Sequence, residues 1–140
     1  MPADLKVRIV KGYPPYSIYK PPRIKLRAME KIIITFEEFE AIRLIDYEMM
    51  SQREASQSME ISQPTLNRIL KSGRQKFAKT IVEGKALVLE GGSISICYEV
   101  YKCNVCGFQW ELKDKNDTII CPSCKEEDIK KLDLQEEKND

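Results

Sequence analysis

The chain has 140 residues, of which 42% are hydrophobic and 32% charged, and its 23 basic and 22 acidic side chains give a formal net charge of +1. This length accommodates one ordinary domain with a small appendage, which excludes a large multidomain enzyme. The sequence contains no histidine, so Ser-His, Cys-His and His-metal sites are excluded as well.

The near-zero net charge is the sum of segments of opposite sign. Residues 1–35 carry eight basic and two acidic side chains, residues 36–61 two and seven, residues 62–85 six and one, and residues 86–140 seven and twelve. A basic segment that follows an acidic one suggests a surface built to meet a polyanion. Charge alone, however, favours a solvated basic helix.

The first 34 residues are predicted to form a basic arm rich in proline and tyrosine. Residues 5–10 alternate apolar and basic side chains, as a short strand does, and residues 12–22 contain four prolines and three tyrosines, which exclude regular structure there. Cations interleaved with tyrosines fit an arm that follows a phosphate backbone or enters a minor groove. A proline-stiffened strap packed on the helical core fits the same residues equally well.

Two capping boxes predict the first two helices. Thr35 and Glu38 predict a helix over about residues 36–48, and Ser51 and Glu54 open a shorter one that ends near residue 59.

A third helix is predicted to begin at Ser62, which caps it, with Pro64 in the first turn, and to end at Gly84. Its apolar positions recur at helical spacing and are predicted to pack against the first two helices. This predicted inner face comprises Leu66, Ile69, Leu70, Gly73, Phe77 and Ile81.

Residues 51–71 have the proportions of a helix-turn-helix, in which the second helix enters the major groove of DNA. Asparagine and glutamine suit adenine, arginine suits guanine, and serine, threonine and lysine suit phosphate. Each of the residues listed next, taken alone, also fits an ordinary exposed helix position. The predicted DNA-binding residues are Ser62, Gln63, Thr65, Asn67, Arg68, Lys71 and Arg74.

Residues 86–100 are predicted to form a β-hairpin connector, because two β-favouring runs flank Gly91 and Gly92. Cys97 lies in the second run. Burial as a small hydrophobe is the simpler fate for this cysteine, and a redox sensor is the alternative.

Four stretches carry a resemblance to a known family. They read FEAIRLID at 39–46, SQREAS at 51–56, MEISQPTLNRIL at 59–70 and EGKALVLEGG at 83–92. Over roughly residues 8–92 the chain resembles uncharacterised protein family 0251, small prokaryotic predicted DNA-binding proteins whose helix-turn-helix is similar to region 4 of sigma-70 factors. The resemblance implies a role in transcription. The chain departs from the usual pattern at Ser56 and Gly73, where alanine is usual, and at Glu60, where glycine is usual.

Cys103, Cys106, Cys121 and Cys124 form two Cys-x-x-Cys pairs separated by fourteen residues. Each pair brings two thiolates to one ion, and four thiolates in a tetrahedron suit Zn(II), with iron as the alternative. A disulfide framework is disfavoured in a reducing cytoplasm. Residues 108–112 and 129–134 are predicted strands, so residues 101–134 resemble a zinc ribbon or, if iron is bound, a rubredoxin-like electron carrier. We favour zinc, one ion per chain, because a metal supplies folding energy to a module with little core.

The sequence therefore predicts an α+β protein: a basic arm (1–34), a mainly α helix-turn-helix domain (35–85), the connector (86–100), a small β zinc ribbon (101–134) and a disordered tail (135–140). We expect a cytoplasmic transcriptional regulator that binds double-stranded DNA, with no enzymatic activity and no membrane association. A homodimer and a protein partner at the acidic ribbon are further expectations. The alternatives are a redox or electron-transfer protein, and a module that binds the transcription machinery instead of DNA.

Overall fold

The computed structural model describes residues 8–92, 94–95, 99–112 and 118–132. They form two compact units: the first holds residues 8–10, 17–92 and 94–95, and the second holds residues 11–16, 99–112 and 118–132. Helices and small sheets are both present, which confirms the α+β class. Within the described ranges, no helix is long and apolar enough to cross a membrane.

The first unit is built on three helices. They are α1 (Phe36–Ile42), which a π-helical turn (Arg43–Tyr47) prolongs, α2 (Gln52–Met59) and α3 (Gln63–Glu83). All three contribute to one buried cluster, so the predicted helical core is confirmed. Its members are Ala41, Leu44, Ala55, Met59, Leu66, Ile69 and Leu70.

Both predicted capping boxes form. The Thr35 hydroxyl accepts from the Glu38 amide at 3.2 Å, and the Glu38 carboxylate accepts from the Thr35 amide at 2.9 Å. Ser51 and Glu54 make the same pair of bonds at 3.1 and 3.0 Å. These bonds satisfy amides that the first turn of a helix leaves without partners, which is why both helices begin where the sequence places them.

The inner face predicted for α3 is wrong at its carboxyl end. Ile81 is 79% exposed and Phe77 is 36% exposed, whereas Thr80 is buried and donates to the Lys76 carbonyl at 2.8 Å. Because 3.6 residues make a turn, Thr80 lies seven residues after the buried Gly73 and on the same face of the helix, whereas Ile81 lies one position further round, beyond the edge of that face.

A three-stranded sheet packs on these helices. Strand β4 (Ala86–Leu89) lies in its centre, antiparallel to β2 (Ile18–Tyr19) and parallel to β3 (Lys31–Ile34). The prediction that residues 12–22 exclude regular structure is therefore wrong at β2, which the pairing with β4 forms. All four residues of β4 are buried, as expected for a strand with neighbours on both sides.

This pairing shows that the predicted hairpin is wrong. The next strand, β5 (Ile94–Ser95), pairs in parallel with β1 (Arg8–Ile9) and not with β4. Gly91 and Gly92 have φ values of +82° and +105°, and the Gly91 carbonyl accepts from the Phe36 amide at 3.1 Å. The diglycine therefore turns the chain beside the start of α1. Cys97 and the predicted tail lie outside the described residues.

The second unit contains an antiparallel sheet in the order β7-β6-β8. Strand β6 (Glu99–Cys103) is central, flanked by β7 (Gln109–Leu112) and β8 (Ile129–Leu132). The two predicted ribbon strands are thus present within the described residues.

The predicted arm is not one continuous segment. Residues 11–16 belong to the second unit, while β1 before them and β2 after them belong to the first. Pro14 is fully buried, and the Gln109 side chain donates to its carbonyl at 3.1 Å. We call residues 11–16 the strap. For this stretch the packing interpretation of the arm is supported, since the strap packs within the second unit.

Candidate metal centre and helix-turn-helix surface

The turn between α2 and α3 fixes where α3 begins. Helix α2 ends at Met59 and is followed by Glu60, whose φ of +57° is left-handed, and the Ile61 amide donates back to the Ser56 carbonyl at 3.0 Å. Two residues after Glu60, the Ser62 hydroxyl accepts from the Thr65 amide at 3.3 Å and caps α3. The chain thus changes direction within three residues, in the manner of a helix-turn-helix.

The capped end of α3 presents a polar surface. Leu66, Ile69 and Leu70 are buried in the helical core. The predicted DNA-binding residues lie on the other side, where all are exposed except Thr65, which is half-buried. The structure therefore brings Gln63, Asn67, Arg68 and Lys71, together with Ser62 and Thr65, to one surface, which we call the α3 polar surface.

Arg74 differs from the other predicted residues. Its guanidinium binds both carboxylate oxygens of Asp46, with N–O distances of 2.6 and 3.1 Å. The hydrogen bonds from Arg74 hold the pKa of Asp46 below its ordinary value. Because Asp46 already occupies this guanidinium, Arg74 is poorly placed to receive a phosphate. Sequence reasoning missed the pair because 28 residues separate its members.

Two other cations of α3 and the turn after it are also paired. Lys76 contacts Glu38 at 2.7 Å, and Lys85 contacts Glu30 at 3.2 Å and Glu83 at 2.9 Å. Burial raises the pKa of Glu38, but hydrogen bonds from Lys76, Ser72 and the Thr35 amide outweigh it and leave the pKa below its ordinary value. Three of the six cations in the basic segment 62–85 are thus paired with acidic residues of the same unit.

The three departures from the family pattern have local explanations. Glycine at position 73 allows α1 to approach α3 closely, since an added Cβ would lie 2.9 Å from Ile42 Cδ1 and 3.2 Å from Glu38 Cβ. The buried Ser56 hydroxyl donates to the Arg53 carbonyl at 2.9 Å, so its polarity is satisfied. Glu60 takes the left-handed conformation that glycine usually takes, at a modest cost in strain.

In the second unit the four predicted cysteines converge. Their Sγ atoms all lie within 4.8 Å of one another, with 3.6 Å between Cys103 and Cys124 and 3.6 Å between Cys106 and Cys121. A disulfide requires a separation of about 2.05 Å. A tetrahedral ion with metal–sulfur bonds of about 2.3 Å requires sulfur atoms about 3.8 Å apart. The spacing therefore suits a metal ion and not a disulfide.

Each cysteine pair forms the same backbone loop. Cys103 Sγ accepts from the Val105 and Cys106 amides at 3.3 and 3.5 Å, and Cys121 Sγ accepts from the Ser123 and Cys124 amides at 3.4 Å each. The loops close at Gly107 and Lys125, whose φ values are +82° and +67°.

The ionisation of the sulfurs also fits a cation. Burial raises the pKa of Cys121, but the Cys124 and Ser123 amides and the neighbouring thiols lower it to about 7. The Glu126 amide lowers the pKa of Cys124, yet burial and the other three thiols raise it to about 12. Thiolates this close repel one another, so full ionisation needs a positive ion among them. The four cysteines can therefore hold a metal, and no histidine is available to take part.

Aromatic side chains and the strap support the strand that follows the first cysteine pair. Phe108 stacks on Trp110 with ring centres 6.0 Å apart, and Tyr16 meets Phe108 edge-on at 5.7 Å. The Gln109 amide donates to the Pro15 carbonyl at 2.6 Å. The strap thus adds apolar and backbone contacts to a unit that has little core of its own.

The geometry defines a class of protein: a three-helix unit with a helix-turn-helix, accompanied by a small β unit that carries a four-cysteine cluster. The model of the family described as "Protein of unknown function DUF134" matches residues 3–97. Similar curated proteins are named "UPF0251 protein". One from Chloroherpeton thalassium is 34% identical and covers 96% of this chain and 89% of its own length, and one from Pelotomaculum thermopropionicum is 35% identical with 95% and 100% covered. The chain therefore belongs to this family. No solved structure was found to match it.

Proposed function

We propose that the chain is a sequence-specific DNA-binding transcriptional regulator. The observation that carries the proposal is the α3 polar surface, which combines Asn67, Arg68 and Lys71 on the exposed side of a capped helix that follows a three-residue turn. In this arrangement the amino-terminal half of the second helix reaches base edges in the major groove. Amide and guanidinium groups are those that read adenine and guanine there.

The proposed role of the cysteine cluster is structural. Four sulfur ligands would fill the coordination sphere of one Zn(II) ion and leave no position for water or substrate, so we propose no catalytic activity for this site. The ion would instead supply folding free energy to the β unit. We place the regulator in the cytoplasm, where a reducing environment keeps the cysteines available to the metal.

A redox or electron-transfer role with iron is the second candidate, because the same four-sulfur cluster suits iron, and the four amide-to-sulfur hydrogen bonds would tune the potential of such a site. Purification without added metal, followed by elemental analysis and a visible spectrum, distinguishes the two. A colourless protein with one zinc per chain supports the structural role, whereas a red, iron-loaded protein supports the rival.

Two protein partners complete the proposal. A second copy of the chain would allow two helices to read paired half-sites. A partner with a basic surface would fit the second unit, where Glu126 and Glu127 are exposed. Sedimentation that detects a monomer both free and on DNA would exclude the homodimer.

The decisive experiment for DNA binding starts with selection of bound fragments from genomic DNA. Affinity for a selected duplex is then measured for wild type, Asn67→Ala and Arg68→Ala, with Lys79→Ala as the control. Lys79→Ala removes an exposed cation from the same helix, about 16 Å beyond Arg68 at 1.5 Å per residue. Loss of one base contact is expected to cost about 1 to 3 kcal/mol.

If Asn67→Ala and Arg68→Ala bind like Lys79→Ala, the α3 polar surface does not read DNA. Binding to polymerase with little salt dependence, in the absence of DNA binding, would instead support a module that contacts the transcription machinery, because phosphate contacts make affinity fall steeply with salt.

A further inference from the structure

Three side chains in the first two turns of α3 are joined by hydrogen bonds. The Ser62 hydroxyl donates to Thr65 Oγ1 at 2.9 Å, and an Arg68 Nη2 hydrogen donates to the same Thr65 oxygen at 3.1 Å. The Ser62 oxygen in turn accepts from the Thr65 amide at 3.3 Å. The residue that caps the helix therefore also orients Thr65, and Thr65 draws the guanidinium of Arg68 toward the capped end.

This arrangement leaves Arg68 charged and able to make further bonds. A guanidinium has five N–H donors, of which Thr65 takes one. The hydroxyl that accepts it is neutral, so the positive charge is not compensated as it is in the bidentate pair of Arg74 with Asp46. The remaining Nη donors still form the planar fork that matches the O6 and N7 acceptors of guanine.

Holding the guanidinium in advance also reduces the entropy cost of a contact. A long side chain loses about 0.5 to 1.5 kcal/mol of rotamer freedom when an interface immobilises it. Because the hydrogen bond to Thr65 already restricts Arg68 in the unbound protein, part of this entropy cost is incurred before DNA binds. Arg68 is thus prepared for a directional contact, whereas a phosphate contact needs only charge.

We propose that Arg68 reads a guanine in the major groove of duplex DNA and that Thr65 is a positioning residue for it, acting through the guanidinium and not by its own contact to a phosphate. The inference rests on the proposed function and deepens it by naming the base that is read. It assigns Arg68, and not Arg74, as the arginine that determines sequence preference in α3.

The experiment uses the full-length, metal-loaded protein and a duplex obtained by selection. In that duplex each guanine is replaced singly by 7-deazaguanine, which lacks the N7 acceptor. For wild type, one guanine per bound site is expected to show a loss of affinity on the order of tenfold. If no single replacement weakens binding, Arg68 does not read guanine and the inference is overturned, whatever the variants do.

Protein variants then test the role of Thr65. Thr65→Val keeps the shape of the side chain and the amide that Ser62 caps but removes the acceptor, while Thr65→Ser keeps the acceptor. Thr65→Val is expected to lose much of the preference for guanine over 7-deazaguanine at that position, and Thr65→Ser is expected to keep it. Circular dichroism checks that both variants retain the helices.

A double-mutant cycle separates positioning from direct contact. In an Arg68→Ala background, Thr65→Val is expected to have no further effect on affinity. A further loss in that background would mean that Thr65 contacts DNA itself, which overturns the inference but leaves the proposed function intact. Absence of salt-dependent binding to any duplex would overturn the proposed function, and the inference with it.

Discussion

Because Arg74 is paired with Asp46, the salt dependence of the proposed DNA binding can show which cations of α3 contact phosphate. Each phosphate contact contributes about 0.9 to the slope of log K against log salt concentration. Lys71 is exposed and no ion pair involving it is found among the described residues, whereas Arg74 is held at 2.6 Å by Asp46. We therefore expect Lys71→Ala to reduce the slope by about 0.9 and Arg74→Ala to leave it nearly unchanged.

The converse perturbation is Asp46→Asn, which releases Arg74. The slope is then expected to steepen by about 0.9, so that raising the salt fourfold, from about 50 to 200 mM, costs about threefold more affinity than in wild type. Stability should change little, because the side chains are 51% and 41% exposed and a pair of this kind contributes less than about 1 kcal/mol.

The assay is a titration of one selected duplex at four or more potassium chloride concentrations for wild type and the three variants. Comparing slopes between variants removes the contribution of cations elsewhere in the chain. If Arg74→Ala lowers the slope as much as Lys71→Ala does, the ion pair opens on DNA and the reasoning is refuted. An unchanged slope for Asp46→Asn would refute it as well.

Three further predictions concern stability and the metal. Gly73→Ala should gain about 1 kcal/mol of helix propensity but lose about 1 to 3 kcal/mol to overpacking against Ile42. Urea denaturation should therefore show no increase in the free energy of unfolding, and a clearly more stable variant would contradict this. If the four cysteines hold the proposed metal, its removal with a chelator should change the emission of Trp110, the sole tryptophan, and speed amide exchange around the strap, because the metal would fold the unit that holds both; unchanged exchange would argue against this role. Because the pKa of Glu38 is lowered on folding, its carboxylate stabilises the folded protein fully above the ordinary value of 4.5, and this contribution is lost as the pH falls through the folded-state value. Glu38→Gln should therefore show a shallower loss of thermal stability below pH 4.5 than wild type does. An equally steep loss would count against this role.

Local interactions explain how much of the fold could be read from the sequence. The two capping boxes and the Ser62 cap join residues three positions apart, so the starts of all three helices follow from neighbouring residues alone. The metal centre is similar, because each Cys-x-x-Cys loop is formed by amides within three residues of its sulfur. The pairing of the two loops in one cluster also agrees with the prediction, since their four sulfur atoms lie within 4.8 Å of one another.

The structure differs from the predictions in the hairpin, the inner face of α3 and the arm. The diglycine predicts a hairpin, but β4 pairs with β2 and β3, which both precede the helices in the chain. Burial of a central strand outweighs a local turn preference. Apolar spacing suggested that Ile81 faces inward, yet Thr80 takes that position. The excess of basic residues predicts one arm over residues 1–34, whereas the structure divides this segment between two units.

The sequence by itself thus determined the helix starts, the four-cysteine cluster and the membership of the α3 polar surface, because each depends on neighbouring residues or on a fixed spacing. The tertiary structure alone decided the strand order, the position of the strap beneath Gln109, and which cations remain available. Arg74 and Arg68 are indistinguishable as letters in a basic helix. Asp46 of the π-helical turn neutralises Arg74, whereas Thr65 holds Arg68 with its charge intact. The two arginines differ because α3 packs against the π-helical turn, which brings Asp46 to Arg74.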